Sequence, residues 1–202
     1  MKSVCLIAKG PSAIYAEDFM RETDDIAVIN DAGIFTKRDV DYCFCTHNYY
    51  TTLRGTVHKI RNIVTVAKNA KTKGPMGGFD LLDEVVDVNK IVYEHLVKGH
   101  ALKPCKDGFM RHIAAGKVCH HHTSTAALHW LAKHGKYDLV RVIGIDGGTE
   151  YAPGSYVHQP TYDKLGIRYG LLDTWKEIVL ELVEVLENIY GCKFKFYNSR
   201  KN

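Results

Sequence analysis

Apolar residues fall along this chain in short, dense runs. Positions 3–8 (SVCLIA), 26–29 (IAVI), 41–46 (DYCFCT), 60–67 and 139–145 (LVRVIGI) are strand-length, and most end at polar residues or glycine. Runs of that kind predict buried strands. Between them the spacing changes. Ala126, Ala127, Leu128, Trp130 and Leu131 predict a helix over 124–134, ended by Gly135 as its C-terminal cap. Trp175, Ile178, Val179, Leu182, Leu186 and Ile189 recur at three- and four-residue intervals, which predicts an amphipathic helix over 172–190 that Gly191 stops. A shorter helix is expected over about 13–21, with Ser12 as its cap and Glu17 and Asp18 on its early turns. The final alternation KFKFY at 193–197 predicts an edge strand. Strands alternating with helix-length segments define an α/β protein, here a single Rossmann-like domain over 1–202 with a mostly parallel sheet flanked by helices. The stretch at about 68–117 breaks the pattern. It opens near the loop KGPMGG, shows weak alternation and no strong helix from Phe79 onward, and reads as an insertion.

Composition narrows the picture. A chain of 202 residues is long enough for one real core without disulfides or metals. With 46% hydrophobic and 25% charged residues, wholesale disorder is excluded. No apolar run approaches the ~20 residues of a membrane span. The opening MKSVCLIAKGPS has no small-residue cleavage site after its apolar run, so it is expected to be a first core strand and not a leader. Cys5, Cys43 and Cys45 lie inside strand-like runs and no CxxC pair exists, the usage expected of buried, reduced thiols in a cytoplasmic protein. Twenty-seven basic against 23 acidic residues give a net charge of +4. That mild excess suits a phosphorylated small molecule better than a nucleic-acid surface, because the richest basic segment, 59–73, reads as a solvated face and loop.

In an open parallel sheet, ligands bind outside the carboxyl ends of the strands. The strand exits are Lys9-Gly10-Pro11-Ser12, Asn30-Asp31, Thr46-His47-Asn48 and Asp146-Gly147-Gly148. Gly10 would let a ligand approach the backbone, while Ser12 and the amides of a helix start would bind phosphate; a plain turn and cap would use the same residues. Thr123 and Ser124 offer hydroxyls and amides at a second helix start, or an ordinary cap. The run His120-His121-His122 is poorly spaced for one metal ion, because adjacent side chains diverge; hydrogen bonding beside an anion suits it better. Asp146 suits a ribose or sugar hydroxyl, or a turn. Tyr151, Tyr156, His158 and Tyr162 crowd the next loop. Tyrosines there can donate to a departing phosphate and His158 can act as a base; a partner or homo-oligomer face is the other use of such aromatics.

The ordered set Cys5–Ser12, Ile29-Asn30, and Thr123-Ser124 through Gly135 into Val142-Ile143-Gly144-Ile145-Asp146 resembles the bacterial sialyltransferases of glycosyltransferase family 42 and the related pterin-diphosphokinase-like group. The likeness covers about the first 50 and last 80 residues. It implies metal-independent, inverting transfer from a nucleotide-activated sugar such as CMP-sialic acid, with no cofactor, to an acceptor that is a glycan or, as a variant, DNA. On that mapping Gly10, Pro11 and Ser12 approach the phosphate or sugar, and Asn30 with His47 or Asn48 lines the donor pocket. Thr123 and Ser124 hold the charged sugar, Gly144 and Asp146 approach base and ribose, and Tyr151 meets the leaving phosphate. The chain departs from the family at three places. Ala8-Lys9 replaces Gly-Asn, His121 replaces an Arg, and Asp173-Thr174 stands where the catalytic His lies before the last helix. His158 and Asp173 are therefore the candidate bases, and Lys9 a candidate for offsetting phosphate charge. Two other functions follow from the same residues: Mg²⁺-dependent pyrophosphoryl transfer or nucleotide hydrolysis through Asp31 and Asp146, and nucleotide binding without catalysis.

Overall fold

Five residues, Ser3–Ile7, form a strand (β1) with every side chain buried, and the sheet is assembled around it. The computed structural model describes residues 1–45, 60–65, 88–93, 105–116, 122–147, 150–155 and 171–197. On one side β1 pairs with β2 (Asp25–Ile29), followed outward by β3 (Val40–Cys45), β4 (Ile60–Thr65) and β5 (Val88–Tyr93). On its other side lies β6 (Leu139–Ile143), and then β7 (Lys193–Phe196) at the edge. Every pairing in this seven-stranded sheet is parallel. The order β5-β4-β3-β2-β1-β6-β7 means that the chain winds away from β1 in one direction and returns to its opposite flank through β6.

Alternate residues of each strand enter two separate cores, because strand side chains alternate between faces. Val4 and Leu6, with Ala27, Phe44 and Val142, meet the helices. These are α2 (Lys106–Ala114), α3 (Thr123–Trp130, continued by the π-helical turn Leu131–Gly135) and α4 (Leu171–Tyr190). Cys5 and Ile7, with Ile26, Val28 and Ile143, face the opposite layer. That layer contains the 3₁₀ turn Pro11–Tyr15, the single-turn helix α1 (Ala16–Phe19) and the 3₁₀ turn Asn30–Phe35. Leu6, Ile7, Ile26 and Ile143 are each no more than 1% exposed, and burial of each contributes about 1.5–3 kcal/mol.

The second layer also buries a charge pair. Arg141 on β6 and Asp24 approach to 3.3 Å with side chains 5% and 0% exposed. Asp24 further accepts from Ser3 Oγ and the Arg21 amide. Cys5, Cys43 and Cys192 are free and buried. Burial pushes the Cys5 and Cys43 thiols up to about 12 and Cys192 up to about 11, so all three stay protonated. Among the described residues no helix is long and apolar enough to cross a membrane.

Several local expectations are corrected. The helix expected over 13–21 is a 3₁₀ turn followed by one α-turn, and its N-cap is Gly10, with no side-chain cap. The left-handed residue after α3 and its π turn is Lys136, at φ +51°, and not Gly135. Gly135 answers a packing need: a Cβ there would lie 2.4 Å from the Tyr137 ring. The strand expected to reach residue 145 ends at Ile143. Val88–Tyr93 and Lys106–Ala114 are a strand and a helix where no strong helix was expected. On α4, Val183 and Val185 are buried, whereas Ile189 is 44% exposed.

Candidate functional site

The reversal of winding places the exits of β1 and β6 side by side, the position at which open parallel sheets make a ligand crevice. Here the two exits are joined through their backbones. The Ala8 amide donates to the Ile143 carbonyl at 2.8 Å, and the Gly10 amide to the Gly144 carbonyl at 2.7 Å. Gly144 returns a bond, its amide donating to Ser12 Oγ at 2.9 Å. The Ser12 amide in turn donates to Asp146 Oδ2 at 2.8 Å. Two glycines permit this approach. A Cβ on Gly10 would lie 2.5 Å from Asp146 Oδ2, and one on Gly144 would lie 2.5 Å from the Ala8 carbonyl oxygen.

These contacts revise the reading of 10–12 as free anion-binding amides. Gly10 and Ser12 amides serve Gly144 and Asp146, Pro11 has none, and the Ala13 amide donates to the Gly10 carbonyl at 2.9 Å. Ser12 is neither a cap nor exposed; it is 2% exposed and ties the two exits together. Pro11 is exposed beside it.

Charge gathers at this junction from three further elements. Lys9 Nζ lies 2.7 Å from Asp31 Oδ1, with side chains 14% and 2% exposed. The Tyr151 ring centroid is 5.2 Å from the same ammonium, a distance at which a cation is drawn to an aromatic face. The segment carrying Tyr151 is fixed by the Ala152 amide, which donates to the Lys9 carbonyl at 2.7 Å. Asn30, at φ +54°, turns the chain out of β2 so that Asp31 follows; Asn tolerates that left-handed geometry better than most residues. From α4, Lys176 Nζ donates to the Asp146 carbonyl at 2.9 Å. No protein-family model, curated protein or solved structure matches the chain.

The structure thus brings together Lys9, Gly10, Ser12, Asp31, Gly144, Asp146 and Tyr151. Thr123 and Ser124 also belong to the carboxyl edge, but over β2 and β3, against which α3 packs. They are the first helical residues, half-buried, and the cap is His122. Its Nδ1 accepts from the Thr125 amide at 3.4 Å, while Thr125 Oγ1 accepts from the His122 amide at 3.1 Å. His47, Asn48, His121 and His158 lie outside the described residues, as do Tyr156 and Tyr162. Of Asp173 only the backbone is described, in the first turn of α4. From the basic segment, Arg61 is described; it pairs with Asp41 at 2.8 Å.

Lys176 is the residue that reading the strand exits missed. A signal for it exists: it is the one basic residue on α4, among Asp173, Glu177, Glu181, Glu184 and Glu187. A depression of about 250 Å³ lined by Glu17, Met20, Arg21, Glu22 and Arg38 lies at the opposite, amino edge. Its Arg38 guanidinium is spent on the carbonyls of Arg21, Glu22 and Asp24, which makes it a structural brace. Among the described residues no group of three or more His, Cys, Asp or Glu is arranged to hold a metal ion.

Proposed function

We propose that the chain is a glycosyltransferase-like enzyme that binds a nucleotide-activated sugar at the β1–β6 crevice and transfers the sugar with inversion. The observation that carries this reading is the junction itself, where a lysine, two carboxylates and a tyrosine converge at the turning point of a parallel sheet. Asp146, which uses Oδ2 on Ser12, would accept from a ribose or sugar hydroxyl with Oδ1. Lys9 and Tyr151 would offset charge growing on the departing phosphate. The acceptor O–H gives its proton to His158 or Asp173 while its oxygen bonds to the anomeric carbon. On the opposite face the anomeric carbon–phosphate oxygen bond breaks, and the nucleotide leaves with the electron pair. Asp31 already holds the Lys9 ammonium, which supports a metal-independent course over a Mg²⁺ site built on Asp31 and Asp146.

The test is a panel of CMP-, UDP-, GDP- and ADP-linked sugars, with calorimetry for binding and NMR for release of the nucleotide, in EDTA and in Mg²⁺. At least one donor should bind and be consumed in EDTA. A panel with no binding, or turnover that strictly needs Mg²⁺, overturns the reading.

A further inference from the structure

A phosphate at the exit of a first parallel strand is ordinarily met by backbone amides of the following helix. Here the chain has used them itself, on Gly144, Asp146 and Gly10. At this strand exit, side chains are then left to meet the negative charge of a bound phosphate. Among the described residues, the cations touching this junction are Lys9 and Lys176. Lys9 is engaged by Asp31 at 2.7 Å. Lys176 is different. An ammonium has three N–H donors, and the Asp146 carbonyl takes one of them.

The half-buried stem of Lys176 also fixes where its charge sits. It projects from the second turn of a 20-residue helix whose other charged residues are all acidic. A cation in the N-terminal half of a helix gains nothing from the helix dipole, which favours cations at the opposite end. The helix alone therefore gives no reason for a lysine here; the bond to the Asp146 carbonyl ties it to the junction instead, and local departures of that kind concentrate at functional sites.

We propose that Lys176 binds the phosphate of the nucleotide, its ammonium anchored on the Asp146 carbonyl and its remaining donors serving phosphate oxygens. The inference rests on the nucleotide reading above and assigns the residue that recognises the anion. Because the contact is a side-chain charge and not an amide cradle, nucleotide binding weakens as salt rises.

Calorimetry of the full chain with CMP, UMP, GMP and AMP and with the four matching nucleosides tests it, on wild type, K176M and K176R. For the nucleotide that binds best, K176M should weaken affinity on the order of 10- to 100-fold, the worth of a charged hydrogen bond. The matching nucleoside should bind K176M as it binds wild type, and K176R should recover most of the lost affinity. Should K176M melt far below wild type, K176Q takes its place, since it keeps a donor for the Asp146 carbonyl without the charge. Equal losses for nucleotide and nucleoside make Lys176 a brace for the Asp146 turn and overturn the inference, as does unchanged nucleotide affinity; both leave the nucleotide reading standing. If wild type binds none of the four nucleotides, that reading falls and takes this inference with it.

Discussion

Gly144 leaves β6 at φ +81°, and a Cβ on it would lie 2.5 Å from the Ala8 carbonyl oxygen. Gly144→Ala therefore carries two costs. The left-handed backbone costs an L-residue about 1–2 kcal/mol. Forcing apart two backbones that are joined by hydrogen bonds on either side costs a further ~1–3 kcal/mol, as other overpacked sites do. Each kcal/mol lowers Tm by roughly 2–4 °C in a domain of this size, so G144A should melt on the order of 5–20 °C below wild type. Gly116 supplies the control. It has φ +72°, but nothing lies within 4 Å of its added Cβ, so G116A carries the backbone cost alone. Thermal melts by circular dichroism, with urea unfolding to confirm the free-energy difference, separate the two. G144A should also lose nucleotide binding that G116A keeps, because the Gly144 amide and carbonyl hold Ser12 and Gly10 in place. If the two variants melt within about 2 °C of each other, the close approach of the β1 and β6 exits is wrong, and with it the geometry of the crevice.

Acid should expose a second weakness. His129 is fully buried, 3.1 Å from the Tyr190 hydroxyl. Burial first, then Lys133, His134 and His112, pull its pKa from 6.5 to about 3. The folded value lies below the unfolded one, so the folded state keeps the ring neutral and loses stability as pH falls below 6.5. At pH 5 the loss is about 2 kcal/mol. In urea unfolding from pH 7 to pH 4, the double variant H129L/Y190F should show a flatter decline than wild type; an identical slope refutes the assignment. The Asp24–Arg141 pair should show the asymmetry of buried charges: D24L alone leaves Arg141 uncompensated and costs about 3–5 kcal/mol, whereas D24L/R141M recovers much of it. Equal losses in the single and double variants, measured by urea unfolding, would show that the pair is not coupled.

The strands were legible where burial on both faces forced apolar residues into succession. Ser3–Ile7 and Asp25–Ile29 show this best. Val88–Tyr93 was not, because Asn89 and Lys90 interrupt its apolar residues. Lys106–Ala114 contains Gly108, which costs a helix interior about 1 kcal/mol, and it starts without a side-chain cap. Its turns are held instead by tertiary packing of Phe109, which is fully buried. Of the candidate site, the strand-exit rule located Gly10, Ser12, Asp31 and Asp146 at one edge. It could not show that Ser12 and Asp146 would satisfy each other, since that depends on β1 and β6 lying adjacent in register. Lys176 was missed for a related reason: what brings it to the junction is which end of the sheet its helix starts at, and a helical repeat alone does not carry that information.

The central place of β1 has a consequence for how the molecule comes into being. Its first partner, β2, is synthesised soon after it, but its second, β6, follows only after most of the chain. Until Leu139–Ile143 arrives, one side of Val4, Cys5, Leu6 and Ile7 is an open, apolar strand edge, the kind of template on which other chains can pair. Closing so long a loop is entropically costly and slow compared with local contacts. The bonds from Gly10 to Gly144 and from Ser12 to Asp146 form in that same late step. Before that step only the Lys9–Asp31 pair, carried by the exits of β1 and β2, has its partners in place; the rest of the crevice is completed together with the sheet.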